Sequence, residues 1–159
     1  MKSRFEKNIP IIYTAGHGRH PLAYFIELLR RNQIAFVCDV RTAARSRWPQ
    51  YNGSILNEEL NRHGFGYEHL PECGGKVLAQ PAELARGLDR IMELAGEMTV
   101  ALMCSESQPL TRHKREPRAN CHRVGLLAPR LKAMGASIIH ILPDGRTMEF
   151  DETAVPSIW

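Results

Sequence analysis

A chain of 159 residues, 43% hydrophobic and 7% aromatic, is long enough for one compact domain that buries roughly 70% of its extended-chain surface. Its net charge of +4 favours anionic partners, though a modest excess of cations is common on soluble proteins. No run of about 18 apolar residues exists to span a bilayer, and the opening MKSRFEKNIP lacks the apolar stretch of a secretory signal.

In chain order, strand signals alternate with helix signals, without internal repeat or low-complexity segment. IPIIYTAG reads as a buried first strand, rich in β-branched residues and closed by Gly16. Pro21 suits the first turn of a helix whose Leu22, Phe25, Ile26 and Leu29 form one apolar stripe. IAFVCDV, apolar on both faces, is the second strand. After a basic loop, Ser54 is expected to cap a helix carrying Leu56, Leu60 and His63 on one side and ended by Gly64. GYEHLP is at best a short third strand.

Pro81 opens a helix striped by Leu84, Leu88, Ile91 and Ala95, which runs to Gly96 and the strand MTVALMC. A polar loop then leads to a helix from Asn120 marked by Val124, Leu127, Leu131 and Met134. Pro129 lies inside it and is expected to kink it or delay its start, because proline deletes a backbone hydrogen bond. SIIHIL, the turn PDG and RTMEF read as two closing strands. This order predicts an α/β fold: a single domain over residues 1–159 with 1–8 as a flexible leader, a mostly parallel sheet with helices on both faces, and an antiparallel C-terminal edge strand as an option.

In such sheets ligands collect beyond the carboxyl ends of the strands. Those ends carry His17, Gly18 and Arg19 after the first strand, Asp39 and Arg41 after the second, His69 after the third, and Cys104, Ser105 and Glu106 after the fourth. Cys121, His122 and Arg123 begin the helix that follows. Parallel neighbouring strands would bring all of these to one rim.

The motifs YTAGHG, DVRTAARSRWPQYN, YEHLPECGG, ALMCSE and NCHR, in this order, resemble the DUF488 family of small bacterial and archaeal proteins without a settled activity. By matching motif, the resemblance marks Gly16, His17, Asp39, Arg41, His69, Gly74, Gly75, Cys104, Glu106, Cys121, His122 and Arg123 as the family's shared positions, and it implies an α/β fold with a common pocket. The sequence departs from the pattern at Gly18, where the family usually has serine, and at Cys73, where an apolar residue is usual. It departs again in the long basic run SQPLTRHKREPRAN and at Pro129.

The residue types define two chemistries. Cys104 and Cys121 are rival nucleophiles, because His17, Arg41, His122 and Arg123 supply the positive surroundings that a thiolate needs. His17, His122 and Glu106 are the candidate acid/base groups. Asp39, Arg41, Arg45, His69, Gly74, Gly75 and Arg123 are the candidate substrate or anion contacts. His69 and His140 read equally as sheet histidines, and Asp39 and Arg41 as a simple charge pair.

A metal is not expected, since Cys121 and His122 are adjacent and Cys104 lies far off. No cofactor is expected either, since neither GxxxxGKS/T nor GxGxxG is present. With Cys38, Cys73, Cys104 and Cys121 showing no CxxC pair, reduced thiols and a cytoplasmic setting are expected. Two functions remain open. One is a cysteine- or histidine-dependent hydrolase or transferase acting on an anionic, phosphate- or nucleotide-containing small molecule. The other is a nucleic-acid-binding module gripping phosphates through loops 41–47 and 112–123, with Trp48 and Tyr51 available to stack on bases. No membrane partner is expected, and the oligomeric state is open.

Overall fold

The computed structural model describes residues 8–74, 80–113, 116–119 and 121–150, with 111–113 and 116–119 described by their backbone. Residues 1–7 of the expected leader lie outside that set. The first strand, β1, spans Ile11–Gly16 and is followed by helix α1, Leu22–Arg31. β2 is Phe36–Asp39, α2 is Gly53–Arg62 and β3 is Gly66–His69. α3, Pro81–Glu97, leads into β4, Val100–Cys104.

β5, Leu110–His113, and β6, Glu116–Ala119, pair antiparallel in a segment that the sequence suggested was an irregular polar loop. A π-helical turn over Arg123–Leu127 runs into α4, Ala128–Ala133, and then come β7, Ser137–Ile141, and β8, Thr147–Glu149. The main sheet has the order β3-β2-β4-β1-β7-β8. All its pairings are parallel except β7 with the edge strand β8.

Alternation along the strands divides the core. Ile12, Cys38, Val40, Leu102 and Cys104 face α3 and α4, where they meet Leu88, Ile91, Leu127 and Leu131. Ala15, Val37, Ala101 and Met103 face α1 and α2, where they meet Phe25, Leu29, Leu56 and Leu60. Helices therefore cover both faces, and the central β4 is buried at every position, which explains its unbroken apolar run.

Several local expectations are corrected. Asn52, not Ser54, occupies the N-cap of α2, and its side chain instead accepts from the backbone N–H of Ser46. His63 is exposed at the end of α2, and Met134 is 41% exposed just beyond α4, so neither belongs to an apolar stripe. Pro129 delays the last helix. The α-helix starts only at Ala128, which leaves Pro129 in its first turn, where a missing N–H costs nothing, and the chain ahead of it is wound as a π turn.

Among the described residues no helix is long and apolar enough to cross a membrane.

Candidate functional site

β1 and β4 are neighbours, yet the chain leaves them in opposite directions. After β1 it turns to α1 on one face, and after β4 it reaches α4 on the other. This is the topological switch point at which open α/β sheets bind ligands. Here the two outgoing segments are laced together: His17 N–H donates to the Cys104 carbonyl at 2.9 Å and Gly18 N–H to that of Ser105 at 3.0 Å. Gly16 makes the crossing possible, since a Cβ on it would stand 1.7 Å from the carbonyl oxygen of Glu106.

On the α3/α4 face, Cys104 ends β4 only 2% exposed, and its Sγ lies 3.5 Å from that of the half-buried Cys121. Arg123 reaches Cys104 from the first residue of the π turn, with no solvent exposure. Its Nε donates to Cys104 Sγ at 3.0 Å, one Nη to Thr14 Oγ1 at 2.7 Å and the other Nη to the Glu106 carbonyl at 2.7 Å. Thr14 Oγ1 also lies 2.7 Å from Nδ1 of His140.

Burial beside Arg123 holds the His140 imidazole down to about 4, so the ring is neutral near pH 7. No carboxylate of the described residues pairs with Arg123. A buried guanidinium requires a counter-charge, and the acidic atom in contact with it is the Cys104 sulfur. The Cys104 thiol is accordingly pushed down, first by the hydrogen bond from Cys121 and then, against the opposing effect of burial, by Arg123 and His122. The Cys121 thiol is pushed up by the same bond and by burial, so the pair titrates as a unit in which Cys104 is the more acidic member. Burial raises the thiols of both Cys38 and Cys73, Cys73 to about 12.

On the α1/α2 face, the His17 ring stacks on Tyr51 at 4.1 Å between centroids. Its Nδ1 binds the Gly18 carbonyl at 2.8 Å, and its Nε2 has no hydrogen-bond partner among the described residues. Burial lowers it to about 4. Beside it the fully buried Asp39 takes two hydrogen bonds from the Arg41 side chain, at 2.8 and 2.7 Å, and a third from Tyr67 at 2.5 Å. Nε2 of His69 donates to the Arg41 carbonyl at 2.7 Å. Beyond this group opens a cleft of about 580 Å³ lined by Arg45, Asn52, Ser54, Asn57, Tyr67 and His69, among others.

The rim expected from the sequence is thus two sites back to back. Cys104, Cys121, His122 and Arg123 come together on one face, with His122 tied by Nε2 to the Val40 carbonyl at 2.7 Å. His17, Asp39, Arg41 and His69 lie on the other, with Arg45 at the cleft mouth. The single grouping of His17 with Cys104 is corrected: their backbones touch, but alternation sends their side chains to opposite faces.

Arg41 is spent on Asp39. Glu106 takes part through its carbonyl, while its carboxylate accepts from Gln108 N–H. Gly74 approaches the protein itself, since a Cβ there would meet Thr42 at 2.1 Å. Tyr51 is fully buried and offers no platform for a base. Gly75, Lys114 and Arg115 lie outside the described residues, as do the side chains of Arg112 and Arg118. Thr14 and Tyr67 were missed by the sequence reading. A threonine in the middle of an otherwise apolar strand was the available signal for the first; nothing marked the second.

Among the described residues no three metal-ligating side chains are grouped. Fold and site together define a six-stranded, mostly parallel α/β protein with a thiol–guanidinium centre at the switch point between its two central strands. The family model "Domain of unknown function DUF488" matches residues 21–77, the stretch holding the DVR and HLP motifs, which bears out the resemblance read from the sequence. No curated protein and no solved structure matches the chain.

Proposed function

We propose that this protein is a small thiol-dependent enzyme in which Cys104 is the nucleophile, Arg123 its counter-ion and Cys121 the neighbouring proton donor. One observation carries the reading: a guanidinium with no solvent exposure has a cysteine sulfur, at 3.0 Å, as its acidic partner. The arrangement preorganises a negative sulfur without reorganisation of solvent, which is what a nucleophile at neutral pH requires. The substrate is a small electrophile, because Cys104 is almost closed off while the next residue, Ser105, is exposed. The test is the ultraviolet absorbance of the thiolate, which does not depend on access to the sulfur. It should persist well below the ordinary thiol value of 9.0 and vanish in Cys104→Ser; a native protein without it overturns the reading.

A second reading, nucleic-acid binding without catalysis, is favoured by the exposed Arg45 lining the cleft and by Arg47, exposed in the same loop. Affinity for single-stranded nucleic acid that falls steeply with salt would support it.

A further inference from the structure

Resting on the thiolate reading above, we infer that Cys104 and Cys121 form a two-electron dithiol/disulfide couple whose oxidising substrate is a small hydroperoxide. The argument starts from the pairing itself. A catalytic cysteine that merely attacked carbon or phosphorus would need no second thiol, yet Cys121 Sγ stands 3.5 Å from the reactive sulfur, so the two need to close by only about 1.5 Å to reach a disulfide bond length. Two further cysteines, Cys38 and Cys73, sit in the same core with raised thiols. Among the described residues, the sulfur–sulfur contact within hydrogen-bond distance is that of Cys104 with Cys121.

Access selects the oxidant. With Cys104 2% exposed and its neighbour Cys121 only half-buried, access favours a two- to few-atom oxidant at Cys104, whereas a bulky disulfide is expected to meet the more exposed Cys121 first. That outer sulfur is the protonated and less nucleophilic one.

The steps balance. The Cys104 thiolate attacks the terminal oxygen of ROOH, a sulfur–oxygen bond forms, the O–O bond breaks, and the leaving alkoxide takes the Cys121 proton to become ROH. Cys104 is now a sulfenic acid and Cys121 a thiolate. The Cys121 thiolate attacks the Cys104 sulfur, the sulfur–sulfur bond forms and hydroxide leaves. The peroxide has been reduced by two electrons and the pair oxidised by two. A dithiol or low-molecular-weight thiol restores it by exchange. Arg123, held by Thr14 and the Glu106 carbonyl, keeps one N–H on the Cys104 sulfur and so favours the charged reactant.

The experiment uses the full chain, reduced and freed of reductant, mixed with equimolar hydrogen peroxide. Two of the four thiols should be lost, peptide mass mapping should find Cys104 joined to Cys121, and the rate should exceed that of the same chain in denaturant by about tenfold or more. Cys121→Ser should stop at a Cys104 sulfenic acid trapped by dimedone, and Cys104→Ser should lose the fast phase. The native-versus-denatured comparison in the natural chain stands even where a variant misfolds. A pair that oxidises no faster than in the unfolded chain, or one oxidised faster by a small disulfide such as oxidised glutathione, overturns the hydroperoxide inference while a persisting thiolate absorbance leaves the nucleophile reading in place. Loss of that absorbance in the native protein removes both.

Discussion

Nε of Arg123 lies 3.0 Å from Sγ of Cys104 inside the sheet–helix core, where the guanidinium has no contact with solvent. Each group explains the other. The guanidinium favours the charged form of the sulfur, and the sulfur is the acidic side chain within hydrogen-bond reach of the guanidinium among the described residues.

Stability should therefore respond to pH through this pair. The folded-state Cys104 value is depressed, so its contribution is fully present above the unfolded value near 9.0 and is lost as pH falls through the lowered folded value. Urea midpoints measured across that range should rise with pH in the natural chain and be flatter in Cys104→Ala.

Replacing Arg123 by methionine keeps much of its volume but leaves Thr14, the Glu106 carbonyl and the Cys104 sulfur without their donor. We expect a loss of about 3 kcal/mol in urea unfolding, together with a return of the Cys104 thiol toward its ordinary range. An unchanged thiolate absorbance in this variant would show that another group holds the charge.

Asp39 and Arg41 form the second buried pair, with side chains 0% and 6% exposed. Asp39→Asn leaves the arginine without its counter-charge and should cost about 3 kcal/mol. Adding Arg41→Gln should recover part of the loss. Additive single effects in that double-mutant cycle would contradict the pairing.

Gly16→Ala drives a methyl into the Glu106 carbonyl that Arg123 holds, so it should destabilise by about 3 kcal/mol and disturb the thiol centre as well. Gly64→Ala is the contrast. Its φ of +88° strains any side chain, but the space around it is open, so the cost should be about 1 kcal/mol with no change at Cys104.

His17 and His140 are both buried neutral, lowered to about 4 from 6.5. Between those values the unfolded chain takes up protons that the folded chain refuses, so stability should fall as the solution is acidified from 6.5 toward 4. Urea midpoints for His17→Asn and His140→Gln should show a shallower fall than those of the natural chain.

The elements themselves were legible in the chain. The stripe of Phe25, Ile26 and Leu29 and the run IAFVCDV are local periodicities, and a helix or a two-sided buried strand follows from each with little help from elsewhere. The functional residue types at the strand ends were legible too, since Cys104, Cys121 and Arg123 all belong to the centre that forms. The hairpin of β5 and β6 was not, because a polar, charged pairing has no apolar alternation to betray it.

What the sequence by itself determined is the alternation of strand and helix, and the fact that cysteine, histidine and arginine end up where strands end. Which of them meet was decided by tertiary structure alone. The insertion of β4 between β2 and β1 brings residues 14, 104, 123 and 140 to one face and leaves His17 on the other. A sheet has two faces, and the side on which a residue emerges is set by register against strands far away in the chain, information that no local pattern carries.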